Sequence, residues 1–149
     1  MTTPAETPAD ARVDTMARNK AVVAAFYDGA VRGDITGFAA QLDREFIVEV
    51  PDNLPWGGVH GREAYLTRVL PQVGSALDFG RFGYESITAE DDRVIALIRV
   101  GVAGSDAMIR ISEHWTLKGE QAVALWVAYY EAKTLLDQLA RSTAHAVRA

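Results

Sequence analysis

Apolar positions recur at helical spacing through the first half of the chain and alternate with polar ones through the second. Val22, Val23, Phe26, Tyr27 and Ala30 share one face of a helix expected over about 15–32, with Asn19, Lys20 and Arg32 elsewhere. Gly33 suits the position just past that helix and Asp34 the N-cap of the next, so the "RGD" at 32–34 reads as a helix stop followed by a helix start. The second helix is short and turns Ile35, Phe38 and Leu42 inward. "FIVEV" (46–50) reads as a strand, followed by the loop "PDNLPWGGVHG". A third helix begins near Arg62 with Tyr65, Leu66, Val69 and Leu70 on its buried side, and Pro71 is expected to end or kink it. From Phe79 onward, segments near 79–89, 93–102, 107–118 and 121–131 alternate as antiparallel strands between turn-like stretches. A short final helix, "AKTLLDQLA", precedes a polar tail.

Helices first and a meander of long strands afterwards predict an α+β fold, with helices packed on one side of a curved sheet. The expected layout is a flexible segment over 1–14, a single domain over 15–141 and a polar tail over 142–149. The 149 residues suit one domain with a real core. Composition then narrows the chemistry. The chain has no cysteine, which removes disulfides, thiolate catalysis and cysteine-ligated metals. A formal charge of −5 without a basic stripe argues against a nucleic-acid partner. The longest apolar run, "AVALWVAYY", is far short of the roughly 20 residues that span a bilayer, and the N-terminus lacks the apolar segment of a signal peptide. A cytoplasmic location without membrane attachment is the expectation.

None of the common catalytic signatures occurs: no nucleophile elbow, zinc-protease helix, dinucleotide fingerprint or P-loop. His60, His114 and His145 are too scattered for a metal site, and none is expected. What remains is a set of polar groups on strands. Glu113 stands in "MIRISEHWTLKG" on the face of Ile109, Ile111, Trp115 and Leu117, where an enclosed carboxyl would have its pKa raised and could work as a hydrogen-bond donor or a general acid or base; the alternative is a solvent-facing carboxylate or one paired with Arg99 or Arg110. Glu49 faces opposite to Val48 and Val50, and Glu131 ends the last strand; each is either a proton-transfer group or a solvated or arginine-paired carboxylate. His60 is a second candidate for proton transfer, beside Trp56, which reads either as a pocket wall or as a loop anchor. Tyr27 needs a partner for its hydroxyl on an apolar face. Trp126 and Tyr129 are separated by an odd number of positions, so they face opposite ways and at most one lines a pocket.

The stretch "AVVAAFYDGAVRGDITGFAAQLDREFIVEVP" resembles the opening of nuclear-transport-factor-2-like proteins, in particular the SnoaL-like and ketosteroid-isomerase-like branch. "LPWGGVHGREAY" resembles the loop and helix start that follow there, and "EHWTLKGEQ" with "YYEAKTLLDQLA" resembles the closing strands and C-terminal helix; the similarity runs over about 19–140. The resemblance implies a cone-shaped, curved mixed or antiparallel sheet wrapped around three N-terminal helices. It implies a deep apolar pocket for a small hydrophobic ligand, and a homodimer formed through the sheet. In isomerase-like members a strand-end aspartate is the base; that position is Val50 here. Their helix-1 tyrosine falls on Phe26, next to Tyr27, and their protonated aspartate falls on Glu113. In SnoaL-like cyclases an acid near the end of the last strand is the base, for which Glu131 is the nearest match. One isomerase position of three is kept, which argues against steroid isomerisation itself. The expectation is therefore a small cofactor-free enzyme of cyclase, isomerase or dehydratase (lyase) type. It would use acid–base chemistry by Glu113, Glu131, Glu49 and His60 on a small apolar oxygenated molecule held by Trp56, Tyr27, Trp115 and Tyr129. The alternative is a non-catalytic ligand-binding or scaffold domain of the same fold.

Overall fold

The computed structural model describes residues 4–5, 7–34 and 36–148; Ile35, expected on the buried side of the second helix, lies outside them. The first helix, α1 (Pro8–Arg32), begins seven residues before the expected start, because Thr7 and Asp10 form a reciprocal capping box with a proline in the first turn. These early turns are exposed and so lack an apolar stripe, and Arg12 pairs with Asp91 at 2.7 Å. The segment expected to be flexible therefore contributes two helical turns. Gly33 closes α1 in the left-handed conformation, with φ 75°. Asp34 then accepts a hydrogen bond from the Gly37 N–H at 3.2 Å, which starts α2 (Thr36–Ala39).

Six strands form one curved, unclosed sheet in the order β2-β1-β6-β5-β4-β3. They are β1 (Leu42–Val50), β2 (Gly58–Gly61), β3 (Leu77–Glu90), β4 (Arg93–Val102), β5 (Met108–Lys118) and β6 (Gln121–Tyr129). The pairing of β1 with β6 is parallel and every other pairing is antiparallel. The loop expected after β1 thus contains a short strand, whose two glycines and single valine offered no alternation to read. Phe46, Val48 and Val50 of β1, Val94, Ala96 and Ile98 of β4, and Ile109, Ile111 and Trp115 of β5 face the helices and are buried. Ile47 and Trp126 stand half-exposed on the other face.

The helix entered at Arg62 does not end at Pro71. It runs as α3 (Arg62–Ala64), a π-helical turn (Tyr65–Val69) and α4 (Leu70–Ala76). The wider turn just before Pro71 relieves the clash its ring would make with the preceding turn of an ordinary α-helix. The final helix, α5 (Ala132–Arg148), continues through the residues expected as a polar tail, with Leu135 buried and residues 140–146 exposed. No described helix is long and apolar enough to cross a membrane.

Gly57 holds the loop between β1 and β2 against itself. A Cβ there would collide with the carbonyl oxygen of Pro51 and lie 2.8 Å from Asp52 Cα, both backbone atoms that cannot rotate away. Gly57→Ala is expected to lower stability by about 1–3 kcal/mol in urea denaturation, because the loop must shift as a unit. An unchanged midpoint would show that the loop yields freely.

Candidate active site

The concave side of the sheet and the helices α1 and α4 enclose a cavity of about 450 Å³. Its walls are apolar: Val48 and Val50 from β1, Ile111 from β5, Leu125 and Val127 from β6, and Phe26 from α1. Trp56, buried in the loop after β1, closes one side and packs on Tyr129 with ring centroids 6.5 Å apart. The rim is formed by the C-terminal turn of α1 and the start of β3.

Glu113 lies on this wall, because strand alternation puts it on the face of Ile111 and Trp115. Burial pushes its pKa up to about 7, and a hydrogen bond from Tyr27 limits the rise. Tyr27 is fully buried behind it and donates to Glu113 Oε1 at 3.1 Å. An indole N–H can only donate, so the 3.0 Å contact from Trp115 Nε1 makes the Tyr27 oxygen an acceptor and directs its own proton to Glu113. The relay Trp115–Tyr27–Glu113 joins α1 to β5 and orients the carboxyl. Burial and the nearby Glu113 raise the Tyr27 pKa well above its ordinary value, so the phenol keeps its proton.

Two further tyrosines line the cavity. Tyr65, from the π-helical turn, is buried, and its hydroxyl has no hydrogen-bond partner among the described residues. Tyr129, packed against Trp56, lines the same cavity, and its phenol O–H can donate. Burial raises the pKa of both, and the charge of Glu113 adds to the rise. Each is thus a neutral donor close to Glu113. The pattern marked Tyr65 only as part of a buried helix face; its role as a lining group follows from the π-helical turn, a feature common at functional sites.

A sequence profile of the SnoaL-like domain matches residues 23–130. The chain belongs to the SnoaL-like domain family. Its structural neighbours include a nuclear-transport-factor-2-like protein from Burkholderia thailandensis, 18% identical, with 80% of this chain and 95% of that one covered at a TM-score of 0.68. A steroid delta-isomerase from Pseudomonas aeruginosa is 16% identical over 89% of this chain and 96% of that one, with a TM-score of 0.66. TerC, co-crystallised with polyporic acid, is 19% identical over 78% and 95%, with a TM-score of 0.65. At such identities the likeness is one of fold. No functionally curated protein matches the sequence.

The SnoaL-like cavity gathers some of the residues expected from the sequence and leaves others outside. Glu113, Trp56 and Tyr129 line it, whereas Tyr27 and Trp115 stand one layer behind and reach it only through the hydrogen bonds that run from Trp115 to Tyr27 and on to Glu113. Phe26 and Val50, the positions where the resemblance led us to expect isomerase catalytic groups, also line it and bring only apolar surface. Glu49 is exposed and away from the cavity, because Val48 and Val50 turn inward and it must turn outward. Glu131 is tied to Arg110: it accepts from the backbone N–H at 2.7 Å and from the guanidinium at 2.9 and 3.0 Å. His60 Nε2 lies 3.0 Å from the Trp56 carbonyl and 3.1 Å from that of Gly57, and carbonyls only accept, so this nitrogen carries the proton and anchors the loop. His114 faces outward against Trp126, with ring centroids 4.9 Å apart. No cluster of metal-ligating side chains occurs among the described residues. Of the four carboxylate or imidazole groups expected to move protons, Glu113 alone reaches the cavity.

Proposed function

We propose that the protein is a cofactor-free acid–base enzyme in which one carboxyl, Glu113, both takes and returns the proton. The observation that carries this reading is a carboxyl with a pKa of about 7 on the wall of an apolar cavity, held by Tyr27 on one oxygen. A group with its pKa near the working pH is populated in both forms and loses little driving force in either direction. Glu113 as carboxylate removes a proton from the carbon next to a carbonyl of a small apolar molecule, giving an enolate. The charge that develops on the substrate oxygen is met by the Tyr65 and Tyr129 hydroxyls, and Glu113 returns the proton to another atom of the substrate. An isomerisation needs nothing more. A dehydration uses the same step, with the proton delivered to the departing hydroxyl. This differs from the expectation of a separate acid and base, because Glu49, Glu131 and His60 stand outside the cavity.

A binding-only role is the second reading, favoured by the apolar character of Phe26 and Val50 at the two isomerase-like positions. A panel of apolar ketones and hydroxy compounds, with polyporic acid included because TerC was crystallised with it, separates the two. A ligand that binds only the folded state raises the melting temperature. The expected result is that compounds which stabilise the protein are also converted, and that Glu113→Gln lowers kcat/KM on the order of 100-fold while stabilisation by ligand is kept. Conversion at the wild-type rate by Glu113→Gln would remove Glu113 from the chemistry. Stabilisation without any conversion by the wild type would establish the binding role.

A further inference from the structure

The charged residues lining the cavity point to the kind of molecule that enters it. Among the described residues they are Arg32, Asp78 and Glu113. Glu113, whose pKa burial pushes up to about 7, carries only part of a full negative charge near pH 7. Asp78, at the rim, is already neutralised by Arg81, whose Nε lies 2.8 Å from its Oδ2, while the Gly80 N–H donates to Oδ1 at 2.9 Å. Those contacts hold the Asp78 carboxyl below its ordinary range. Arg32 is different. It ends α1 and lines the rim, and it forms no ion pair or side-chain hydrogen bond with any described residue, Asp28 one turn earlier included. The α1 macrodipole competes for this charge, but its C-terminal end amounts to about half an elementary charge and is shared over the last turn. The cavity therefore has a net positive rim in a chain whose formal charge is −5.

We infer that the cavity selects apolar molecules bearing an anionic group, a carboxylate or a sulfonate, with Arg32 holding the anion at the rim while the oxygen to be polarised lies at Glu113. The planar guanidinium offers paired donors that match the two or three oxygens of such a group. Phe26 lines the cavity on α1, with Tyr27 behind it holding Glu113, and Arg32 lies six and five residues further along. At 1.5 Å per residue the two places are thus about 8 Å apart along the helix, room for an apolar ring system between the anion and the reacting oxygen. A neutral ligand would leave Arg32 solvated and gain nothing from it. An anion exchanges water for a charged pair at the border of a low-dielectric cavity, where such a bond is strongest. The inference rests on the cavity being the ligand site, as proposed above, and adds the charge of what it takes.

A matched pair of fluorescent probes tests it. Neutral N-phenyl-1-naphthylamine and its sulfonate, 1-anilinonaphthalene-8-sulfonate, share one apolar skeleton and brighten in apolar cavities. The wild type is expected to bind the sulfonate about tenfold more tightly than the neutral amine. Arg32→Gln should remove that advantage and leave the neutral probe's Kd unchanged, and Arg32→Lys should restore part of it. Arg68→Gln, a change in an exposed surface groove away from the cavity, should alter neither. Sulfonate affinity unchanged by Arg32→Gln, with the neutral probe still bound, would overturn the role of Arg32 and leave the cavity as the ligand site. Failure of the wild type to brighten either probe would overturn both readings.

Discussion

Glu113→Gln is expected to make the protein more stable above pH 7, by up to about 3 kcal/mol. The folded-state pKa is about 7, against an ordinary value of 4.5. Between those values the folded protein keeps a proton that the unfolded chain has released, so stability falls as pH rises. The contribution is whole below about pH 4.5, shrinks through the interval and is gone above 7. At about 1.4 kcal/mol per pH unit, the gap corresponds to about 3 kcal/mol. Glutamine is close in shape, stays neutral throughout and can still accept from Tyr27, so it escapes the loss. Urea denaturation of both proteins from pH 4 to 8.5 isolates the effect, because every other titrating group cancels in the difference. That difference should turn in favour of the variant as pH rises and level off above 7. A flat difference would mean a well-solvated carboxyl, and Glu113 would be withdrawn as the proton-transfer group.

Trp115→Ala should be the most damaging single truncation, costing about 4 kcal/mol. The side chain is fully buried and meets Phe26 at 5.1 Å, Phe38 at 5.8 Å and Phe46 at 6.5 Å between ring centroids. Its removal opens a void between α1, α2 and the sheet that these rings cannot fill, and it strips the Tyr27 oxygen of its donor. A loss of that size is a large part of the stability of an ordinary domain. Trp115→Phe separates the two contributions, since it keeps much of the packing and loses the N–H; a cost of about 2 kcal/mol is expected. Trp126→Ala is the control. That ring is half-exposed on the outer face, and its loss should cost under about 1 kcal/mol. Equal costs for Trp115→Ala and Trp126→Ala would show that the aromatic cluster is not the centre of the core.

The tension between a carboxyl and its apolar strand face was legible from spacing alone. Strand alternation is a property of the backbone, so it put Glu113 with Ile111 and Trp115, and Trp126 opposite Tyr129, before any fold was known. Family-specific order added the cone. The sequence could not say which polar candidates meet in space. Glu49 stands between Val48 and Val50 and faces outward because they turn in, whereas Glu113, two positions from Ile111 and Trp115, turns in with them. Glu131 finds Arg110, and His60 finds two carbonyls of its own loop, through turns that hydrophobic spacing does not encode. The π-helical turn that brings Tyr65 to the cavity was equally unreadable, since Pro71 predicted only that the helix would end or kink.

What the sequence determined by itself was the fold class, the strand faces and the one acid placed among apolar side chains, because these follow from short-range periodicity and from what water excludes. The tertiary structure decided the rest. Tyr27 and Glu113, 86 positions apart, become hydrogen-bond partners only when α1 lies across the sheet, and Arg32 becomes a rim charge only when α1 ends beside β3. Such meetings depend on the packing angles of whole elements, which residue spacing along the chain does not record.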